Sequence, residues 1–207
     1  MIVVGERSMP GFIHGLPKTN EAVAYARRAH DGQRRRVDGA PFILHPLEVA
    51  SLLYYAGAPD HLIAAGVLHD AIEKAHVVAS DLREGFGSRV AVLVLAVSED
   101  ERINGYAQRK AALREQVGRA GEEALMLFAA DKLSKVRELH LDPTAPGKSL
   151  SSGAIARSRG RRLTHYRNCL ALLEDRLPDY PLVGQLRTEL AGVWDSAISA
   201  RVPASTR

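Results

Sequence analysis

Apolar residues recur at spacings of three and four along most of the chain, in segments rich in alanine and leucine. This spacing is that of a helix with one buried face, whereas the alternating β-branched runs that would indicate strands are few. The pattern therefore predicts an all-α fold, a helical bundle of about eight to ten helices. Helices are predicted over residues 19–31, 45–56, 60–74, 79–85, 87–98, 104–117, 121–141, 157–176 and 183–200.

Glycine and proline mark several of the predicted helix ends. Gly32 follows the first helix, and Gly57 and Pro59 follow the second. Val90–Val97 is short and apolar throughout, so its composition fits a buried strand as well as a helix. We expect a helix, because the sequence offers no partner strand.

The length of 207 residues suits one domain with a sizeable core, and we interpret residues 1–207 in this way. Residues 1–18 are expected to form an N-terminal extension. Residues 142–156 are rich in Pro, Gly and Ser and predict a mobile loop. The composition, 46% hydrophobic and 25% charged, is that of a globular protein and excludes a disordered or fibrous chain.

Charge and cysteine content narrow the function classes further. The net charge of +4 favours an anionic ligand such as a phosphate, but 5% aromatic residues argue against a nucleic-acid binder. Cys169 is the one cysteine, which excludes an internal disulfide and is typical of a reducing compartment. Glu6 and Arg7 lie where a signal peptide needs its apolar stretch, and no apolar run is long enough to span a bilayer. The sequence predicts a soluble, cytoplasmic protein without a membrane partner.

The segment LHDAIEK, residues 68–74, carries the first candidate chemistry. On a helix, His69, Asp70 and Glu73 project within an arc of about 100°, so all three can face one pocket. An imidazole and two carboxylates beside an apolar flank must be paired or bound to a metal, because burial is otherwise costly. A structural histidine beside surface acids is the alternative for this segment alone.

Two more polar residues interrupt apolar segments. His45 follows the stretch APFIL, and Asp131 follows LMLFAA within a predicted helix. Aspartate is a poor helix former and is costly to bury, so Asp131 requires a cation. With His69 and Asp70 these residues form a mixed nitrogen and oxygen set that suits Mn²⁺, Fe²⁺ or Zn²⁺.

Four segments occur in an order and at a spacing that resemble a known family: AHDGQRRRVDGAPFILHPLEVA, AAGVLHDAIEK, DLREGFGSRVAVLVLAVSED and FAADKLSKVREL. Together they resemble the HD-domain hydrolase module of the RelA/SpoT family. That family includes small stand-alone alarmone hydrolases, which remove the 3′-pyrophosphate from (p)ppGpp. The resemblance covers residues 19–141, and the segment YRNCLALLE resembles the family's closing helix.

The resemblance implies roles for particular residues. The family's metal ligands match four residues here: His45, His69, Asp70 and Asp131. Glu73 matches the acid that acts on the attacking water, so Glu73 and Asp70 are the predicted catalytic residues. The alternative is that Glu73 only orients His69, four residues earlier on the helix. Arg36 matches an arginine that contacts the nucleotide, and Mn²⁺ is the expected ion.

Other candidate substrate-binding residues depart from the family pattern or match it loosely. Lys74, Lys135 and Glu138 stand where the family has Asp, Asn and Thr. The two lysines make the site more cationic and more attractive to phosphate, whereas Glu138 acts in the opposite direction. Arg109 and Lys110 match a basic pair that can reach substrate phosphates, and a solvated helix face is the alternative.

The resemblance predicts a metal-dependent phosphohydrolase of the guanosine-3′,5′-bis(diphosphate) 3′-diphosphatase type, with a nucleotide as its substrate. A chain of 207 residues has no room for the family's synthetase or regulatory domains, so we expect a stand-alone enzyme. Two alternatives stay open: an HD phosphohydrolase for another nucleotide or phosphoester, and a non-catalytic module that binds metal and nucleotide. The segment LVGQLRTELAGVW can pack within the chain or against a second copy, so a homodimer also stays open.

Overall fold

The structure is a computed structural model that describes residues 11–141 and 152–199. The helices in these ranges are α1 Pro17–Ala29, α2 Leu44–Tyr55, α3 Asp60–Leu68, α4 Ala71–Ala75, α5 Ala79–Phe86, α6 Ser88–Val97, α7 Tyr106–Ala120, α8 Glu122–Leu141, α9 Ser152–Arg176 and α10 Pro181–Ser199. A short 3-10 helix, Gly11–Ile13, precedes them. The predicted all-α fold is confirmed. The β-type pairing in the described ranges is an isolated antiparallel bridge between Arg34 and Pro41.

Helix α3 lies at the centre of the bundle. Residues 62–68 are all buried, and α3 packs against α1, α2, α6 and α8. Such a helix must be apolar on every side, as the segment IAAGVL is. Gly66 allows α2 to approach closely, because a Cβ atom there would lie 2.7 Å from Cδ1 of Leu53. The residues that directly follow α3 are therefore positioned by a helix held on all sides.

The predicted third helix, residues 60–74, is wrong in one respect, because it breaks after Leu68. His69 keeps helical angles, but Asp70 has φ −92° and ψ 0°, and α4 starts at Ala71. These angles lie in the sparsely populated bridge region that active-site residues often occupy. On a regular helix the side chains of His69 and Asp70 would diverge by about 100°. The break after Leu68 changes the direction of the backbone, so that both side chains can face one site.

The boundary of α9 also differs from the prediction. The helix begins at Ser152, so residues 152–156 are helical and not part of a loop. The rest of the predicted mobile loop, residues 142–151, lies outside the described residues. Helices α9 and α10 both pack against α8.

The N-terminal part of the described chain packs on the bundle. Residues 1–10 of the expected extension lie outside the described residues. Ile13 is buried in the core, and α1 begins at Pro17. None of the described helices combines the length and hydropathy needed to cross a bilayer.

Asp60 joins α1 to α3. Its carboxylate accepts hydrogen bonds from the backbone N–H groups of Lys18 (3.0 Å) and Thr19 (2.9 Å) and from the Thr19 hydroxyl (2.7 Å). The N–H groups in the first turn of a helix have no partner within that helix. Asp60, at the start of α3, therefore caps α1.

We expect Asp60→Ala to lower the free energy of unfolding by about 1–2 kcal/mol, the usual cost of losing a helix cap. Urea denaturation followed by circular dichroism measures this loss. Asp81→Ala is a matched control, since Asp81 is an exposed acid in the first turn of α5 and its loss should change stability by less than about 0.5 kcal/mol. An equal effect of the two substitutions would contradict the capping role.

Candidate metal centre

Four buried side chains converge where α2, the break after α3 and α8 meet. Nε2 of His45 lies 3.1 Å from Nε2 of His69. Oδ1 of Asp131 lies 3.3 and 3.5 Å from these two nitrogens, and Oδ2 of Asp70 lies 3.6 and 3.5 Å from them. The structure thus brings together all four residues that the sequence predicts as metal ligands.

Hydrogen bonds at the other ring nitrogens determine which imidazole nitrogens face the centre. Nδ1 of His69 donates to the carbonyl of Gly66 at 2.8 Å, and Nδ1 of His45 lies 2.8 Å from the hydroxyl of Ser134. A neutral imidazole with its proton on Nδ1 carries a lone pair on Nε2. The Gly66 carbonyl, which can only accept, therefore assigns Nε2 of His69 as a lone-pair nitrogen, and Nε2 of His45 has the same role when Ser134 accepts from Nδ1 of His45.

The donor set fits a divalent cation. Oδ2 of Asp70 and Oδ1 of Asp131 are buried and have no hydrogen-bond partner among the described residues. Ligand atoms of His45, His69 and Asp131 lie within 4.8 Å of one another. Buried lone pairs and carboxylates without a partner are costly, and a shared cation removes that cost. Nitrogen and oxygen ligands suit borderline divalent metals.

Two lysines accompany the two carboxylates. Nζ of Lys132 bonds Oδ2 of Asp131 and lies 4.5 Å from the centre of the Phe128 ring. Nζ of Lys135 lies 3.8 Å from Oδ2 of Asp70. Lys132 was not singled out from the sequence, because a lysine beside an aspartate on a helix is an ordinary pair. It occupies one oxygen of Asp131 and leaves the other for the centre.

The carboxylates are ionised despite their burial. Burial raises the pKa of Asp131, but the Lys132 charge and the two imidazoles hold that pKa well below its usual range. Burial likewise opposes ionisation of Asp70, but His69 and Lys135 lower its pKa to about 2. The centre therefore holds two ionised carboxylates in a site with little solvent.

The imidazoles respond to this charge in opposite ways. Burial, together with the Lys135 charge, lowers the pKa of His45 to about 4, so that His45 is neutral near pH 7. Burial also lowers the pKa of His69, but Asp70 and Asp131 outweigh it and raise the net value. The direction of this shift follows from the two carboxylates, which favour positive charge at the His69 ring.

Glu73 lies on α4 beside the centre and is half-buried. Its Oε1 accepts a 2.6 Å hydrogen bond from the backbone N–H of Glu99, and Nζ of Lys74 is 3.9 Å from its Oε2. Burial raises the pKa of Glu73. If Glu73 oriented His69, it would accept a hydrogen bond from Nδ1 of that ring. In the structure Nδ1 of His69 bonds the carbonyl of Gly66 instead. Lys74 is exposed.

Glu99 is the residue to which the basic pair on α7 binds. Its carboxylate accepts a 2.9 Å hydrogen bond from Nε of Arg109 and another from Nζ of Lys110. Both basic residues are half-buried, and in this structure they pair with Glu99. No sequence pattern singles out Glu99, because it lies in the connection after α6, where no helical period predicts the direction of its side chain.

In the segment between α1 and α2, Arg35 is half-buried and contacts an acid of the site. Arg36 is exposed. Arg35 is paired with Asp38, and its Nη1 is 3.8 Å from Oε1 of Glu138. Oε1 of Glu138 is also 3.8 Å from Nδ1 of His45, and burial raises the pKa of Glu138. Three consecutive arginines carry no periodic signal that could show which one turns inward.

Another buried histidine, His165, lies near Lys132. Nδ1 of His165 is 3.2 Å from Nη1 of Arg114 and 3.5 Å from Sγ of Cys169. Burial, together with the Lys132 charge, lowers the pKa of His165 to about 2. His165 is therefore neutral in the folded protein and accepts a proton only on unfolding.

This difference makes stability depend on pH. Above an unfolded pKa near 6.5, folded and unfolded His165 are both neutral. Below this pH the unfolded chain binds a proton that the folded chain does not. The free energy of unfolding therefore decreases as the pH is lowered from about 6.5 toward the folded pKa, by up to about 1.4 kcal/mol per pH unit. We expect His165→Gln to flatten the decline of unfolding free energy between pH 6.5 and 4, as measured by urea titrations. His14→Gln, an exposed histidine, should keep the slope of the wild-type chain.

The fold and this centre together define a class of protein. A family model described as the HD domain matches residues 22–148, and the chain belongs to the HD-domain family. The human guanosine-3′,5′-bis(diphosphate) 3′-pyrophosphohydrolase MESH1 is 34% identical over 123 residues, which cover 58% of this chain and 68% of the human protein. The resemblance to the RelA/SpoT-type module is confirmed by such relatives.

A bacterial relative is longer than this chain. The guanosine-3′,5′-bis(diphosphate) 3′-pyrophosphohydrolase of Aquifex aeolicus (strain VF5) is 32% identical over 136 residues, which cover 65% of this chain. This chain spans 19% of the length of that protein.

Solved structures share the bundle. One, described as a metazoan ortholog of SpoT that hydrolyzes ppGpp, superposes with a TM-score of 0.69 at 20% identity and covers 92% of this chain and 98% of the other. A crystal structure of a protein from Listeria monocytogenes EGD-e superposes with a TM-score of 0.62 at 26% identity and covers 76% of this chain and 98% of the other. The arrangement of helices therefore extends over most of the chain in both.

Proposed function

We propose that this chain is a metal-dependent phosphohydrolase that releases pyrophosphate from (p)ppGpp. The observation that carries this proposal is the convergence, on one buried point, of two imidazole nitrogens and two carboxylate oxygens that have no hydrogen-bond partner among the described residues. A half-buried glutamate and two lysines stand beside that point. The human and Aquifex aeolicus relatives are named for this reaction, which supports the choice of substrate.

Four side chains would hold the cation: His45, His69, Asp70 and Asp131. We propose Mn²⁺ as the ion, because a set of two nitrogen and two carboxylate ligands suits it, while Fe²⁺ and Zn²⁺ are accommodated by the same donors. A divalent ion bound there would polarise a phosphoryl oxygen and lower the pKa of a bound water.

Glu73 is proposed to take the proton of the attacking water. The Glu99 N–H fixes one carboxylate oxygen of Glu73, and the other remains available to accept a proton. A carboxylate with a raised pKa is better suited to this task than an unperturbed one, since its pKa is closer to the working pH. The water oxygen would attack the phosphorus attached to the ribose 3′ oxygen, and the bond between that phosphorus and the 3′ oxygen would break. Pyrophosphate is then released, and the 3′ oxygen leaves with a proton as the hydroxyl of the nucleotide product.

Cationic side chains around the centre would bind the phosphates. Lys135 and Lys74 lie close enough to the carboxylates to offset negative charge that develops on phosphate oxygens. Arg36 is exposed beside Arg35, where it would meet the substrate from the solvent side. Arg109 and Lys110 would have to release the Glu99 carboxylate before they could bind a substrate phosphate. Glu138 is an acid, so it would pair with the basic side chains of the site, such as Arg35, and would not bind phosphate itself.

The contact between Lys135 and Asp70 also favours a second candidate. An ammonium 3.8 Å from a proposed metal ligand competes with a metal ion for that carboxylate. A chain with a weakened metal site would act on another nucleotide or phosphoester, or would bind its ligand without turnover. All of the residues named come from one chain, so neither candidate requires a homodimer.

We also propose that the protein acts in the cytoplasm. Cys169 is a buried free thiol, and a reducing compartment preserves such thiols.

A product assay tests the proposed function. Protein stripped of metal and resupplied with Mn²⁺ is offered ppGpp beside a panel of other nucleotides, with Asp70→Ala as the inactive control. Release of pyrophosphate and GDP by the wild-type chain alone supports an alarmone hydrolase. Turnover of a different nucleotide keeps the chemistry and replaces the substrate. No turnover, with tight Mn²⁺ binding still measured, would overturn the assignment as a hydrolase of these substrates.

A further inference from the structure

A line of polar contacts leads from α10 to His45. Nε of Arg137 is 3.1 Å from Oε1 of Glu189 on α10, and Nη1 of Arg137 is 3.5 Å from Oε1 of Glu48 on α2. The Ser134 hydroxyl donates to Oε2 of Glu48 at 2.8 Å and lies 2.8 Å from Nδ1 of His45. Ser134 is fully buried, so water does not compete for its hydroxyl.

The chemistry of these groups determines which atom donates and which accepts in each hydrogen bond. A carboxylate only accepts hydrogen bonds, so the single hydroxyl proton of Ser134 is committed to Glu48. The oxygen of Ser134 then presents a lone pair to His45, and Nδ1 of His45 must carry the proton. Nε2 is left as the lone-pair nitrogen that faces the metal centre. Glu48 thus selects the tautomer of His45 without touching it.

Glu138 is the other acid near His45, but it does not replace Ser134. Its Oε1 is 3.8 Å from Nδ1 of His45, beyond hydrogen-bond distance. Nη1 of Arg35 is also 3.8 Å from that Glu138 oxygen. The hydroxyl of Ser134 is therefore the group that orients the ring.

We propose that Ser134 and Glu48 are positioning residues that hold His45 in its metal-binding tautomer and orientation, with Arg137 holding Glu48. The proposal rests on the proposed function, in which His45 is a metal ligand. Hydrogen-bonded partners of metal-binding histidines typically contribute roughly ten- to hundredfold to metal affinity. Arg137 and Glu189 extend this support to α10, so the C-terminal helix braces the centre although it supplies no ligand.

The experiment measures two properties of the full chain. Isothermal titration gives the dissociation constant for Mn²⁺, and ¹⁵N NMR of the metal-free protein reports which nitrogen of His45 carries the proton. The variants are Ser134→Ala, Ser134→Thr, which keeps the hydroxyl, and Glu48→Leu, which removes the acceptor. Ser98→Ala is the matched control, because Ser98 is also buried, directly follows α6, and donates its hydroxyl proton to the carbonyl of Val94 in that helix.

Ser134→Ala and Glu48→Leu are expected to weaken Mn²⁺ binding by about ten- to hundredfold and to reduce the fraction of His45 protonated on Nδ1. Ser134→Thr should restore both, and Ser98→Ala should change neither. Unchanged affinity and an unchanged tautomer in Ser134→Ala would overturn the proposal while the proposed function stands. If the wild-type chain itself binds no Mn²⁺, the proposed function fails, and the NMR measurement still decides whether Ser134 sets the tautomer.

Discussion

His69→Gln is expected to raise the dissociation constant for Mn²⁺ by more than about a hundredfold, because even outer partners of metal ligands contribute ten- to hundredfold. His69 contributes one of the two Nε2 lone pairs at the centre and is anchored by the carbonyl of Gly66. An amide at this position offers a weaker oxygen donor on a longer, more flexible stem. Isothermal titration measures the affinity, and phosphohydrolase activity should disappear in parallel.

The same helix supplies the control for this substitution. His61 lies on α3 eight residues before His69, and its Nε2 bonds Glu123 at 2.7 Å, away from the centre. His61→Gln should keep wild-type Mn²⁺ affinity and activity. If His69→Gln also bound Mn²⁺ as tightly as the wild-type chain, the four-residue centre would not be the metal site.

Glu73→Gln is expected to lower kcat by about 10²- to 10⁴-fold, the usual contribution of a general base, and to leave Mn²⁺ affinity within a few fold of the wild-type value. The glutamine keeps the shape of the side chain and can still accept the Glu99 N–H, but it cannot take a proton from water. Steady-state kinetics with ppGpp, combined with Mn²⁺ titration, separates these two effects. Glu84→Gln, an exposed acid on α5, is the matched control.

The pH profile provides a second test of Glu73. Burial raises the pKa of its carboxyl, and only the ionised form can accept a proton. The rate should therefore decline as the pH falls through this raised value, and the decline should be absent from the residual activity of Glu73→Gln. A loss of Mn²⁺ affinity in proportion to the loss of rate would instead assign Glu73 to the orientation of the metal ligands.

The sequence predicted the ligand set because its members have a recognisable setting. His45, His69 and Asp131 each interrupt an apolar segment, and polar residues in such positions need partners. The four motifs, in order, resemble those of a known family, and this resemblance linked ligands that lie up to 86 positions apart in the chain. The all-α fold followed from the three- and four-residue period, which a helix with a buried face must show.

The sequence did not predict the residues that support the centre. The break at Asp70 depends on packing around α3, which no local pattern encodes. Ser134 and Glu48 lie on separate helices, and their meeting depends on how α2 crosses α8. Lys132 and Glu99 resemble ordinary surface charges in the sequence, and only their burial and their partners distinguish them.

The break after Leu68 limits how this chain can change in length. One residue inserted within α3 would rotate everything that follows by about 100° and move it by about 1.5 Å along the axis. His69 and Asp70 would then point away from His45 and Asp131, while Gly66 would leave its crossing with Leu53. Insertions and deletions among homologous chains are therefore expected in connecting turns such as residues 98–105, and α3 should keep a constant length.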